Sequence, residues 1–273
     1  MKKLSVAFAT IGSMILIFIL FFTAVEFGIS DKTFINNEYT HLGLSKTMGM
    51  NNADLVASCT RLVDYMKGTV DDIDITVTIN GEKTLMFDQE QEVVHMKDVR
   101  LLYSRFKNYR NVGCIAVLVL YLLSAICSFR SSLHSIAKGY ILGTVVMSFG
   151  IGFIGTWAAL DFSSFWTAFH QTLFWNELWL FDVNTSRMIN ILPQEFFKDL
   201  VLRIVLYAAV AIIILLVIAI IIVVSHNKKE AKKEEAARRA AIRRKKLAEK
   251  KAKEKAAAEK KPEEQEEQPE DKA

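Results

Sequence analysis

Two histidines are placed where they could do chemistry. His95 lies in "HMKDVRLL", where helical spacing sets Asp98 one turn on and continues the face with Val99 and Leu102. His170 lies in "AFHQTLFWNELWLFD", residues 168–182, among two Trp, three Phe and three Leu. A carboxylate three residues from an imidazole can accept a hydrogen bond from one ring nitrogen. That fixes the tautomer and makes the other nitrogen more basic. His170 falls one turn after Trp166 and one before Phe174, so helical spacing puts it on their membrane-facing stripe, shielded from bulk water. The sequence holds no G-x-S-x-G elbow, H-E-x-x-H pair, P-loop or G-x-G-x-x-G run. Two histidines without a protein nucleophile suit a reaction whose substrate brings its own, such as an amine attacking an ester. One base removes the amine proton and a second group stabilises or protonates the departing oxygen. The blander account is that each ring only hydrogen-bonds a loop carbonyl.

The elements that must position these residues are largely membrane-embedded. Of the 273 residues, 52% are apolar, which is high for a soluble domain. Four segments free of Asp, Glu, Lys and Arg, Leu4–Val25, Val112–Phe129, Gly139–Leu160 and Ile204–Val224, approach or exceed the ~20 helical residues that cross a bilayer core. The fold class expected is therefore α-helical transmembrane with four spans. The first apolar stretch exceeds a signal-peptide core and no A-x-A pattern precedes Glu26, so it is expected to stay as an anchor. Lys2, Lys3, Arg130, Lys138 and the basic run after span four all fall on one side, which predicts cytoplasmic termini. Arg100, Arg105, Lys107 and Arg110 crowd the outer end of span two; they are read as snorkelling from a helix lying on the surface.

These spans divide the chain into a four-span membrane domain, residues 1–225, and a charged cytoplasmic tail, residues 226–273. Within the former, an outer α/β domain, residues 26–111, is long enough to fold by itself, and an outer interfacial segment covers residues 161–203. "NNADLVASCTRLVDYMKG" carries Leu55, Val56, Cys59, Leu62, Val63 and Met66 on one helical face, with Asn51 or Asn52 to cap its start and Gly68 its end. Ile73, Ile75, Val77 and Ile79 then alternate toward an Asn80-Gly81 hairpin turn. After Asp88 a second helix runs into span two. All four Trp lie between residues 157 and 179, interleaved with Phe, as at a membrane–water boundary. Pro193 suits the first turn of the helix that becomes span four.

The remaining candidates are plainer. His134 and His226 are interfacial polar residues, and His41 follows "NNEYT" in an exposed loop. Cys59 has no partner on its side of the membrane, and no cysteine pair has zinc-ligand spacing, so neither a disulfide nor a metal is expected. The tail holds 17 of the 34 Lys/Arg but 12 of the 30 Asp/Glu, so the chain's net charge of +4 belongs to it. Its first part, Lys228–Lys246, suits anionic lipid at the cytoplasmic leaflet. No aromatics interleave with the charges, so no nucleic acid is expected.

With the spans in place, "HMKDVRLL" at 95–102, "FHQTLFWNELWLFD" at 169–182 and "MINILPQEFFKD" at 188–199 resemble, jointly and in order, the signature blocks of a bacterial four-span membrane family. That family includes the lipoprotein intramolecular transacylase. The resemblance covers residues 1–225, with "LVDYMKG" in the first outer helix, and leaves out the tail. It implies an acyl chain moved from the glyceryl ester of a diacylated lipoprotein's N-terminal cysteine to its α-amine, with no cofactor and the site on the extracytoplasmic side of the cell membrane. The family's two essential histidines fall on His95 and His170, and Asp98, Trp179 and Asp182 match its motifs as supporting or substrate-binding positions. His95 as base with His170 as acid or oxyanion donor, and the reverse, both remain open. The competing expectation is a non-enzymatic sensor or assembly factor that binds a partner through the outer domain and the tail.

Overall fold

The computed structural model describes residues 1–260, with side chains as far as Lys255. Residues 261–273, the end of the predicted tail, lie outside the described residues. Residues Met1–Ile220 form one compact unit. Its elements run α1 Lys2–Ser30, α2 Lys32–His41, α3 Leu44–Met48, α4 Asn52–Lys67, β1 Thr76–Ile79, β2 Glu82–Leu85, α5 Glu90–Cys127, α6 Ser132–Leu160, α7 Phe162–Leu173, α8 Arg187–Ile191 and the start of α9, Gln194–Lys260. Among the described residues, four helices are long and apolar enough to cross a membrane: α1, α5, α9 and the run Phe129–Leu160 that contains α6. The described residues from Ile221 to Lys260 belong to a second unit and are helical, with side chains 228–255 exposed.

Apolar burial gives little drive inside a bilayer, so spans associate through close backbone approach and hydrogen bonds. In α6, Gly139 meets α1 so closely that a Cβ there would sit 2.4 Å from Ala9 Cβ. Gly143 does the same against Thr10 and Ser13. The hydroxyl of Ser5 on α1 donates to the Ser124 carbonyl on α5 at 2.8 Å, and Ser13 and Tyr121 hydroxyls meet at 3.0 Å.

Beyond the spans, local chemistry sets the elements as the sequence predicts. The Asn51 side chain accepts from Asp54 N–H at the start of α4, and Gly68, at φ +80°, ends it. Asn80 and Gly81 both take positive φ, the geometry of a type I′ turn, and pair Ile79 with Glu82. Three expectations fail. The outer domain does not close its own core: Leu55, Leu62, Tyr65 and Met86 share one cluster with Met188, Ile191, Phe196 and Leu200 of the second outer segment. His41 ends a helix, α2, whose Phe34, Ile35 and Tyr39 enter that cluster, although its side chain is exposed. The cationic stretch before span two is not a separate surface helix but part of the unbroken 38-residue helix α5, which continues into that span. Arg110 there pairs with Glu26 and stacks over Phe22, and Arg100 stacks over Tyr65, so both have protein partners.

Candidate active site

His95 is on α5, 17 residues before Val112, about 25 Å of helix axis from the start of that apolar span. His170 is on α7, the helix that follows α6 after Asp161. Asp161 caps α7 by accepting from Ser164 N–H and so fixes where that turn of helix begins. The two imidazoles, 75 residues apart in sequence, stack with ring centroids 6.4 Å apart and planes 26° apart. Each residue is 8% exposed.

Aromatic rings close the pair on several sides. Phe174 packs against both, at 5.3 Å from His95 and 5.7 Å from His170. Phe181 sets its edge to His95 at 5.3 Å, and Trp179 stacks on His170 at 4.9 Å. Trp166 and Phe169 flank His170 on its own helix. The stripe expected to face lipid is thus turned inward at His170 and Phe174, because His95 and Phe181 supply a protein surface for it. Exposed apolar residues remain around this assembly: Leu160, Phe169, Trp175, Leu180 and Val183, with Trp175 fully exposed.

Hydrogen bonding distinguishes the two rings. His170 Nδ1 is 2.8 Å from the Trp166 carbonyl, which can only accept, so Nδ1 carries the proton and Nε2 keeps its lone pair. The carbonyl that this nitrogen meets belongs to its own helix, not to a loop. His95 Nδ1 is buried without a partner. Asp98 does not bond to His95 as expected; its Oδ2 accepts from the Asn176 amide at 2.9 Å. Burial pushes His95 down to about 4, helped by the neighbouring His170 and opposed by Asp98. Burial also lowers His170, with the Trp166 hydrogen bond acting the other way. Both rings are therefore neutral near pH 7. A pair of neutral imidazoles supplies one lone pair and one N–H donor, which is what amine attack on an ester requires.

Of the remaining candidates, Trp179 joins the site through His170, and Asp182 does not. The Asp182 carboxylate organises its own turn, accepting from Asn184 N–H at 2.9 Å. Sequence reasoning missed Gln91, Glu92 and Asn176. Glu92 is wholly buried one turn before His95 and accepts from Ser186 Oγ at 2.6 Å and Met188 N–H at 2.9 Å. An acid on the apolar face that His95 continues was its only signal. Glu38, His41 and Asp199 bring ligand atoms within 4.8 Å of one another, close enough for a metal, but include neither imidazole of the pair.

The model of the family described as "Lipoprotein intramolecular transacylase Lit" matches residues 10–197. A search of curated protein sequences found no match. Among solved structures, the membrane-integral lipoprotein intramolecular transacylase Lit from Bacillus cereus is similar at 16% identity and a TM-score of 0.64, over 84% of this chain and 98% of that one. A histidine-to-arginine variant of the same protein is similar at 17% identity and a TM-score of 0.60, over 84% and 95% of the two chains.

Proposed function

Because the chain belongs to the lipoprotein intramolecular transacylase family, a family of membrane acyltransferases, we propose that its imidazole pair catalyses acyl migration on a diacylated lipoprotein. The acyl chain leaves the glyceryl ester of the N-terminal cysteine and joins that cysteine's α-amine, giving a lyso-form lipoprotein. The observation that carries the reading is the 6.4 Å stack of His95 and His170, one ring of which is held as an Nδ1–H tautomer.

The chemistry follows from the two nitrogens. His170 Nε2 takes a proton from the amine as nitrogen attacks the ester carbonyl carbon. Negative charge develops on the carbonyl oxygen, and neutral His95 donates an N–H to it. When the tetrahedral adduct collapses, the carbon–oxygen ester bond breaks and His170 returns the proton to the departing glyceryl oxygen. An amide and an alcohol result, and the enzyme ends as it began. Of the two assignments the sequence left open, the Trp166 hydrogen bond favours His170 as base.

The basic residues flanking the spans favour cytoplasmic termini and a site outside. Exposed Phe169, Trp175 and Leu180 beside the pair suit contact with lipid that holds the substrate's chains. Attraction of anionic lipid to Lys228–Lys246 suits the opposite leaflet. Mass spectra of lipoprotein N-terminal peptides, from cells with and without the gene, test the activity. The N-acyl, lyso-glyceryl form is expected only with the gene and is lost in His170→Ala. Unchanged acylation in a host whose lipoproteins have free N-termini overturns the reading.

A further inference from the structure

With residues 174–181 where they lie, His95 and His170 are each only 8% exposed, so little of either ring is open to an ester. The side-chain hydrogen bonds that tie those residues to α5 are few and lie near the surface. Gln91, four residues before His95, gives its amide to the carbonyls of Leu178 and Leu180, at 3.0 Å each. Asp98, three residues after His95, accepts the amide of Asn176 at 2.9 Å. Asn176 also folds the stretch on itself, accepting Leu178 N–H on Oδ1 at 3.1 Å and the Trp179 indole N–H on its carbonyl at 3.0 Å. The two clasps therefore bracket His95 by one helical turn on each side. The rings they press down are Trp179 on His170 and Phe181 on His95.

We infer that residues 174–181 form an aromatic cover, clasped to α5 by Gln91 and Asn176, that opens to admit the ester and then decides between amine and water as acyl acceptor. This rests on the acyl-transfer reading above. The two outcomes share one mechanism up to the nucleophile. Attack by the amine forms the amide. Attack by water at the same carbonyl carbon breaks the same ester bond and gives a free fatty acid and the same alcohol, the proton again passing through His170. In open water an α-amine, with a pKa near 7.7–8.0, is mostly protonated and cannot attack. Under a closed apolar cover the neutral amine is favoured and water is excluded. Gln91 and Asn176 are thus specificity-determining residues that act through the cover without touching the imidazoles.

The full chain in phospholipid nanodiscs, given a synthetic dipalmitoylglyceryl-cysteinyl peptide, provides the test. Mass spectrometry reports N-acyl lyso-peptide and free palmitate together. Gln91→Ala and Asn176→Ala are expected to raise the ratio of palmitate to amide product about tenfold, the scale of losing two exposed hydrogen bonds. Gln91→Glu, which keeps the side chain's length but removes both donors, is expected to do the same. A native ratio in all three variants, whatever their rate, overturns the cover while leaving the transferase intact. A native protein that forms neither product overturns the acyl-transfer reading itself.

Discussion

The Nδ1–H of His170 is held by the carbonyl of Trp166, four residues earlier on the same helix, at 2.8 Å. That bond leaves Nε2 as the basic atom, whereas His95 has no such constraint on its Nδ1. The roles can be separated with glutamine, whose amide keeps an N–H donor but has no basic nitrogen. His95→Gln is expected to retain part of the activity, and His170→Gln to lose at least about tenfold more, within the 10²–10⁴ range of general-base removal. Initial rates of N-acyl product formation give the comparison. Equal losses would count against His170 as the base.

Acid should weaken both activity and fold through these rings. In the unfolded chain a histidine binds its proton near pH 6.5, whereas folded His95 does so near pH 4. Between those values the unfolded state holds more protons. The contribution of His95 to stability is therefore constant above about 6.5 and falls as pH drops toward 4, by on the order of 3 kcal/mol. Thermal unfolding in detergent across that window should show a smaller fall for His95→Phe than for the native chain. Activity needs neutral His170, whose pKa is also lowered, and so should persist somewhat below pH 6.5.

The spans were legible because uncharged runs of this length have one physical outcome in water and lipid, and α4 and the hairpin because Asn51, Gly68 and Asn80-Gly81 act locally. What escaped depends on distant partners. The polar string "NNEYT" sits in a helix whose Phe34 and Ile35, just before it, and Tyr39, within it, pack on residues such as Phe196, over 150 positions away. Asp98 looked like a partner for His95 by spacing, but Asn176, 78 residues on, takes it. The aromatic run around His170 could face lipid or protein with equal periodicity, and only the arrival of α5 decides. His95 and His170 stand out by type and setting, and the family resemblance falls on the same two, but nothing in the spacing of residues 95 and 170 brings the rings together.

Glu92 ties the helix of His95 to the start of α8 through Ser186 and Met188. Glu92→Ala would leave a buried hydroxyl and a buried N–H without their acceptor, at about 1–3 kcal/mol each. Glu92→Gln keeps one carbonyl oxygen and should cost about 1 kcal/mol. Unfolding midpoints of the two variants are expected to differ accordingly; similar midpoints would mean that those groups find other partners.

Two glycines of α6 test the packing of the spans. A Cβ at Gly139 would meet Ala9 backbone and side chain at 2.4–2.7 Å, so Gly139→Ala must push α1 and α6 apart, at roughly 1–3 kcal/mol. At Gly150 nothing lies within 4 Å, and Gly150→Ala should be neutral or slightly stabilising through helix propensity. Thermal stability in detergent should rank Gly139→Ala below native and Gly150→Ala at or above it.

Removing residues 228–273 separates the enzymatic reading from a signalling one. The pair of rings, its aromatic cover and the core beneath it are built from residues before Ile220. Side chains 228–255 are exposed, and their ion pairs, such as Arg239 with Glu235 and Lys250 with Glu254, are local i,i+4 contacts. Such pairs contribute only a few tenths of a kcal/mol. The truncated chain should insert, unfold at a temperature close to native and form N-acyl product at a rate within about twofold of the full chain. A sensor or assembly factor working through its tail would show the reverse: function lost on truncation and retained in His95→Ala and His170→Ala.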